Sequence, residues 1–496
     1  MEFRINRKID NMFIHIYPLL MIPGLISLSS LDDKYVKEKS FTNSEPEWLM
    51  EIRNNAFSNY SSLPHEVSPL YRKYSDANLL YPDRVYLSQE TKTYEPEEYL
   101  NERIKELEKD TSILKIGSSI VHSKISDKLK EQGVVISDLR TAIKEYASII
   151  KNNIQSNQLD YSEDKFLALE LSCFDSGIFV YIPKNVIIDE PIRIIDVLAP
   201  DGTSSITRNI VIAESNSKAG IVQELYSNNQ SDDRIQQSLF ELLECYVGAN
   251  AELEVVTLQA MNEKNSVNFS NRKAFIERDA KMSWYMGLFG SQLSRYKIDN
   301  IMKGEGASAE DVEIIFGTND QSFDVTSNLI HHGPNTRGRV LSKSVMKDKS
   351  KSLFKGMIKI EKGANSAESF LAGHSILLDK GAKSDTIPGL EIETNEVRAT
   401  HSASVAQIDE NQIFYLMCRG LSNEEAKREI VSGFLEPLSR KMGPTIRAWV
   451  NYLMENKWLG KPLMLKTDEA MEHILEVEKS RYREADDIFE KHYKYR

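Results

Sequence analysis

The stretch GIFVYIPKNVIIDEPIRIIDVL, residues 177–198, marks the point at which the sequence changes character. It is dense in β-branched and aromatic residues and is interrupted by proline and asparagine, a pattern typical of short strands joined by turns. Similar short runs continue to about residue 415 without a long helical pattern. The periodicity on both sides of this region is helical. The sequence therefore predicts a mainly β core over residues 177–419, with helical regions at both ends.

Corners recur through this core at an interval of about 30 residues, shortening at the last one. A stacked coil needs a tight corner at a similar place in every turn, so this interval predicts a solenoid. A β-sandwich also contains many short strands with turns, and the pattern alone leaves that alternative open. The corner dipeptides are Lys218-Ala219, Gly248-Ala249, Asp279-Ala280, Gly306-Ala307, Arg337-Gly338, Gly363-Ala364 and Gly381-Ala382.

Helix start signals mark the two flanking regions. The N-terminal region, 44–176, opens with Ser44-Glu45-Pro46-Glu47, which combines a polar cap, an early proline and acidic residues. The C-terminal region, 420–496, opens with Ser422 followed three residues later by Glu425, the pattern of a capping box. Both regions are predicted to be helical domains. Further C-terminal helices are predicted over 446–458 and 468–489.

The first 43 residues form an apolar extension. Residues 12–30, MFIHIYPLLMIPGLISLSS, follow three basic residues, which is typical of a signal peptide or anchor. Two prolines shorten the clean apolar run below the ~20 residues that a bilayer crossing needs. The run is also compatible with a small packed extension, or with a translation start that belongs at Met12, Met21 or a nearby codon. No membrane partner is expected.

Composition and motifs limit the function classes. The chain has 62 Lys and Arg against 74 Asp and Glu, a net charge of −12, so no nucleic-acid partner is expected. Three widely spaced cysteines exclude a disulfide framework and fit a cytoplasmic location. Phosphate-loop, dinucleotide, zinc-protease and serine-hydrolase motifs are absent from the sequence. The residues favour a non-catalytic binding or scaffold role. A carbohydrate-active β-helix enzyme with paired acids is the alternative from another class.

Four stretches resemble the SufB/SufD family, the scaffold subunits of the SUF iron–sulfur cluster assembly machinery. The resemblance implies a right-handed parallel β-helix core between N-terminal and C-terminal helical domains. It also implies a non-catalytic subunit that pairs through its β-helix with a SufB-type chain. The ATPase SufC would bind the C-terminal helical domain and carry out the ATP hydrolysis. The stretches are SEPEWLMEIRNNAFSNYSSLP (44–64), DKFLALELSCFDSGIFVYIPKNVIIDEPIRI (164–194), TIPGLE (386–391) and HSASVAQIDENQIFYLMCRGLSNEEAKREIVSGFLEP (401–437).

Candidate site residues follow from this resemblance. His401 matches the histidine of the family motif and is the leading candidate to bind the cluster's iron, with a structural histidine as the alternative. Ala382 and Ser402 stand where SufB-type chains carry a cysteine and a glutamate, and Gly373 replaces another cysteine. Loss of thiolate ligands favours a SufD-like subunit, with a SufB-like homodimer as the open alternative. His374, beside Gly373, is the second candidate metal ligand.

The resemblance also implies cofactors and a docking edge. The implied cofactor is a nascent iron–sulfur cluster, held transiently and shared with the partner subunit. The resemblance also suggests FAD as a cofactor of the whole complex. Cys173, Cys245 and Cys418 are predicted to be buried apolar residues, because free cysteine commonly packs inside. Cys418 lies in the strand-like run FYLMCRG. Arg419-Gly420, ahead of the Ser422 cap, is a predicted docking edge for the ATPase.

Overall fold

A computed structural model describes residues 24–463, apart from 75, 91, 158 and 228–233. The predicted helix over 468–489 and most of the apolar N-terminal run lie outside the described residues. Its helices are α1 Asp33–Thr42, α2 Glu47–Ser62, α3 Glu98–Leu107, α4 Asp127–Glu131, α5 Leu139–Glu145, α6 Ala147–Ser156, α7 Lys165–Cys173, α8 Glu410–Met417, α9 Asn423–Ser439 and α10 Pro444–Trp458. None of these helices is apolar over enough length to span a bilayer.

The strands that precede the repetitive core, or open it, are β1 Leu25–Ser27, β2 Tyr86–Ser88, β3 Ser112–Ile116, β4 Ser119–Lys124, β5 Val135–Asp138, β6 Ile178–Ile182 and β7 Ile192–Val197. The remaining strands are β8 Ser205–Ala213, β9 Lys218–Tyr226, β10 Gln237–Val247, β11 Glu252–Ala260, β12 Ser266–Ile276, β13 Lys281–Leu288, β14 Leu293–Met302, β15 Ser308–Gly317, β16 Ser322–His331, β17 Arg337–Met346, β18 Lys351–Ile360, β19 Glu368–Leu377, β20 Lys383–Ile392 and β21 Arg398–Gln407.

Strands β6 to β21 wind into a parallel β-solenoid. The even-numbered strands form one sheet and the odd-numbered strands form the other, and consecutive strands of each sheet pair in parallel. Each of the eight coils contributes one strand to each sheet. The β-helix prediction is confirmed. The sandwich alternative is wrong, because the sheets of a sandwich are antiparallel.

Side chains alternate between the lumen of the solenoid and its outer surface. The lumen positions hold one continuous apolar core that includes Leu253, Trp284, Val340 and Leu371. Helix α7 lies against β8, β10 and β12 on the outer face of the even-numbered sheet, whereas α9 lies against β15 and β17 of the other sheet. Strands that are buried on both faces lose polar alternation, which explains the dense apolar runs in the sequence.

Residues with a positive φ stand at one corner of successive coils. Asparagine, aspartate and glycine tolerate this left-handed conformation better than other residues. The side chains of Asn216 and Asn250 also donate hydrogen bonds of 2.9 and 3.1 Å to the asparagine one coil earlier. Six of the seven corner dipeptides seen in the sequence lie close to these positions, whereas Gly381-Ala382 lies at the opposite corner, between β19 and β20. The positions with a positive φ are Asn185, Asn216, Asn250, Asp279, Gly306, Asn335 and Ser366.

The N-terminal region is less helical than predicted. Strands β3, β4 and β5 lie within residues 44–176. Strand β3 pairs in parallel with β7, and β5 pairs antiparallel with β6, so both extend the solenoid sheets. The short apolar run of β3 has partner strands far away in the sequence, and such runs cannot be assigned from local periodicity. Residues 24–43 of the predicted extension contain β1 and α1, and β1 pairs with β2.

The C-terminal helices are anchored to the solenoid by apolar contacts and lysines. The capping box of Ser422 and Glu425 is present at the start of α9, as predicted. Trp449 of α10 is fully buried. The buried ammonium group of Lys457 lies 2.7 Å from Glu263 and also contacts the carbonyl oxygen of Phe289. These contacts hold the helices against middle coils of the odd-numbered sheet.

Candidate functional site at the open end of the solenoid

The last coil ends the solenoid with its lumen side chains exposed. Within the described residues, β20 and β21 each have a neighbouring strand on one side only. The lumen-facing residues Leu390, Ile392 and Val405 are 40%, 41% and 42% exposed, whereas Leu371 and Ile358 of the preceding coil are buried. This last coil, β20 and β21, is called the end coil below. It presents an apolar face and two strand edges that no strand of the described ranges covers, features typical of a protein interface.

His401 lies on the lumen-facing row of the end coil. On β21 it stands in register with Leu371 of β19, a core residue of the lumen. Because no described coil follows β21, the His401 side chain is exposed where Leu371 is buried. An exposed imidazole can offer either ring nitrogen to a metal ion. The geometry therefore lets His401 bind a group that is presented from beyond the end of the solenoid.

His374 projects from the other face of the same sheet. Its Nδ1 is hydrogen-bonded to the hydroxyl of Ser404, 2.6 Å away on β21. Ser404 is three residues from His401 on a regular strand, so the two side chains point to opposite faces. Burial and the neighbouring Lys343 lower the pKa of His374. The structure brings the two candidate histidines to adjacent strands, but they cannot bind one ion within a single chain.

Helix α8, directly after the end coil, exposes three large apolar residues. Asp409 caps this helix by accepting a 2.8 Å hydrogen bond from the backbone N–H of Asn411. Phe414, Tyr415 and Met417 are 68%, 56% and 42% exposed. They are called the α8 face below. The guanidinium group of Arg419 lies 3.4 Å from the centre of the Tyr415 ring.

Comparisons with known proteins agree on one family. Residues 197–434 match the family model described as "SUF system FeS cluster assembly, SufBD core domain", and residues 29–194 match "SufBD protein N-terminal region". The chain belongs to the SufB/SufD family. It is 27% identical over 418 residues to "Iron-sulfur cluster assembly protein SufD" of Bacillus subtilis, covering 83% of this chain and 94% of that protein. A SufBD family protein of Staphylococcus haemolyticus is 27% identical over 445 residues, 87% of this chain and 93% of that protein.

Membership of the SufB/SufD family confirms the resemblance seen in the sequence. It identifies the chain as a subunit of the SUF iron–sulfur cluster assembly system. A SufBD family protein of Staphylococcus aureus is 26% identical over 444 residues, again 87% of this chain and 93% of the relative. Neither the family models nor these relatives support the carbohydrate-active alternative.

The structure leaves no room for a thiol at one of the aligned SufB-type cysteine positions. A Cβ at Gly373 would lie 2.5 Å from Cδ1 of Phe354 and 2.9 Å from Cγ2 of Thr386. Phe354 thus fills the part of the lumen that a side chain at residue 373 would need. Ala382, the other aligned position, is buried at a corner, and Ser402 lies on the outer face of β21.

The three cysteines differ in burial. Cys173 and Cys245 are buried as predicted, and burial raises the pKa of both thiols, to about 11 for Cys173. The prediction for Cys418 is wrong, because it is exposed just after α8. Its FYLM neighbours form a helix turn rather than a strand, and three of their side chains are exposed whereas Leu416 packs against the core. Asp409 as a helix cap was the sequence signal that could have indicated this.

Proposed function

We propose that this chain is a SufD-like scaffold subunit that pairs through its end coil with a SufB-type subunit of a cytoplasmic SUF complex. The observation that carries the proposal is the exposure of lumen residues Leu390, Ile392 and Val405 beside two strand edges that no described strand pairs with. A soluble solenoid needs a cover at each end, since an open edge otherwise templates aggregation. A sister solenoid supplies such a cover.

Two kinds of interaction would stabilise this pairing. Strand edges of β20 and β21 can form backbone hydrogen bonds with partner strands. Burial of a fully exposed apolar side chain of this size contributes about 1.5–3 kcal/mol, and Leu390, Ile392 and Val405 are each about two-fifths exposed. Directional backbone hydrogen bonds and burial of apolar side chains would therefore both stabilise the pairing.

His401 would then face the interface between the two subunits. In this arrangement it supplies a nitrogen ligand to the nascent cluster, which is the cargo of the complex. Gly373 and Ala382 carry no thiol, so the partner supplies the sulfur ligands that iron prefers. The cluster is shared and held transiently for the same reason. His374, on the opposite face, stays a prediction as a second ligand, and FAD stays a prediction about the complex as a whole.

The SufC ATPase would bind the α8 face. Phe414 and Tyr415 are large, exposed and rigid, the residue types that dominate binding energy at interfaces. The position of α8 directly after β21 couples this surface to the end coil. ATP hydrolysis by SufC could thereby act on the subunit interface while this chain itself catalyses no reaction. The predicted docking edge, Arg419-Gly420, lies at the end of the same surface.

Co-purification of the full chain with SufB-type and SufC-type proteins tests the proposal. The variant Val405→Asp places a charge on the end coil and is expected to reduce recovery of the SufB-type subunit while SufC is retained. Ile187→Asp is the matched control, since Ile187 is also exposed but lies at the other end of the solenoid. Equal recovery of the SufB-type subunit with Val405→Asp and wild type would contradict the proposal, as would self-pairing of this chain through the end coil.

A further inference from the structure

Two carboxyl groups lie buried in the lumen without a cation. Asp311 and Glu313 are neighbouring lumen positions of β15, and both side chains are fully buried. In the described part of the chain, no lysine, arginine or histidine forms an ion pair with either group. An unpaired carboxylate in such surroundings is strongly unfavourable, so each group must hold a proton or bind a cation.

The groups around the pair do not suit a metal ion, which leaves a proton as the means of neutralising its charge. The amide nitrogen of Asn300 lies 3.0 Å from both oxygens of Asp311, and Trp284 Nε1 donates to the Asn300 oxygen at 3.0 Å, which fixes the amide orientation. Ser327 donates to Oε1 of Glu313. Only Oε2 of Glu313 has no partner among the described residues. One oxygen does not satisfy a hard metal ion, which takes about six oxygen ligands.

Four serine hydroxyls form a closed ring between this pair and the end coil. Ser344 Oγ lies 2.6 Å from Ser375 Oγ and 3.2 Å from Ser352 Oγ. Ser384 Oγ completes the ring at 2.7 Å from Ser352 and 2.8 Å from Ser375. A hydroxyl both donates and accepts, so a ring of this kind can pass a proton on. Ser384 belongs to the end coil and is only half-buried.

Ser342 connects the acid pair to the ring. It stands in register with Glu313 on the adjacent strand β17 and faces the lumen. Ser344 follows two residues later on the same face, about 6.6 Å along the strand. Hydroxyl groups therefore stand at intervals along the lumen from Glu313 to the exposed end.

We propose that Glu313 and Asp311 form a proton-exchange site, connected to the open end of the solenoid by Ser342 and the serine ring. On uptake, a hydronium ion at the end coil gives up a proton and becomes water, and an O–H bond forms at Glu313 Oε2. On release, that bond breaks and water accepts the proton. Formation of metal–sulfide bonds from protonated sulfur species releases protons. A role in absorbing these protons rests on the proposed function, whereas the exchange itself does not.

The surroundings of the pair set its protonation. Burial raises the pKa of Glu313 to about 7, and burial together with Glu313 raises the pKa of Asp311 well above its usual range. Glu310 faces the outer surface, Arg272 in the lumen is paired with a carboxylate of β10, and His331 is hydrogen-bonded to two hydroxyls. Uncharged side chains face the pair: Met286 on β13, Asn300 on β14, Ser327 on β16 and Ser342 on β17.

Infrared difference spectroscopy of the isolated full chain tests the site. Between about pH 6 and pH 8, the carbonyl band of a buried protonated carboxyl group is expected to disappear. This pH-dependent loss of the band should also be seen in the control Glu252→Gln, which alters an exposed glutamate. It should be missing from the difference spectrum of Glu313→Gln. No such band in wild type, or binding of Mn²⁺ that Glu313→Gln abolishes, would overturn the proposal. Circular dichroism checks that each variant is folded.

A pH-jump experiment tests the path. After a rapid change of pH, the carboxyl band should change at least about tenfold more slowly in the double variant Ser375→Ala, Ser384→Ala than in wild type. The reason is that a methyl group cannot relay a proton. Ser238→Ala removes a buried hydroxyl on the outer face of β10 and should respond at the wild-type rate. Equal rates in all three proteins would overturn the path. Since the isolated chain is used, neither result depends on partner binding.

Discussion

The ring of Phe354 on β18 occupies the space that a side chain at Gly373 on β19 would need, with only 2.5 Å between Cδ1 and an ideal Cβ. A matching contact lies beside it, where a Cβ at Gly356 would be 2.2 Å from Cδ1 of Leu371. In each sheet, a glycine thus leaves the space that a large side chain of the other sheet fills. These two contacts close the lumen beneath the end coil.

Gly373→Ala should destabilise the fold by about 1–3 kcal/mol, since the added methyl group overpacks the contact with Phe354. The free energy of unfolding from urea titration measures the effect. Gly363→Ala is the control, because a Cβ there meets only ordinary contacts. Adding Phe354→Leu to Gly373→Ala should recover part of the loss. Equal stability of Gly373→Ala and wild type would show that the lumen has spare room.

His401→Ala should leave the free energy of unfolding nearly unchanged, because the side chain is exposed on the end coil. In the reconstituted complex, the same variant is expected to lower iron and sulfide content, since a cluster ligand is lost. His374→Ala, on the opposite face, is the matched comparison. A cluster content that falls with His374→Ala but not with His401→Ala would reverse the assignment of the ligand.

Phe414→Ala and Tyr415→Ala should each weaken SufC binding about tenfold or more, as expected for aromatic residues at the centre of an interface. Isothermal titration calorimetry with the purified chain measures the affinity. Leu459→Ala truncates an exposed apolar residue after α10 and should bind SufC like wild type. Unchanged affinity for both aromatic variants would mean that SufC binds elsewhere.

Lys457 should make the free energy of unfolding depend on pH in the alkaline range. Burial lowers the pKa of its ammonium group to about 8, below the ordinary 10.5 of the unfolded chain. Between these values the unfolded state binds more protons, so stability should rise with pH, by at most about 1.4 kcal/mol per pH unit. Urea unfolding between pH 8 and 10 measures the slope. Lys457→Met should reduce it, and an identical slope in both proteins would contradict the pKa.

Much of the candidate site could be inferred before the structure was known. The match of residues 401–437 indicated His401, and the corner interval indicated a solenoid. The opposite orientation of His374 depends on strand register, which a resemblance does not supply. The α8 face was missed because an apolar run of this length is compatible with strand or helix. The wrong prediction that Cys418 is buried has the same cause.

The sequence by itself determined the family, the stacked coil and the helical ends, because these depend on local corner chemistry and on patterns that repeat along the chain. Only the tertiary structure decided which residues are exposed at the last coil and which meet across the lumen. His401 is exposed because no described coil follows it. Asp311 and Glu313 are buried because further coils and the opposite sheet cover them. Contacts of this kind join residues that are distant in sequence, so no local pattern encodes them.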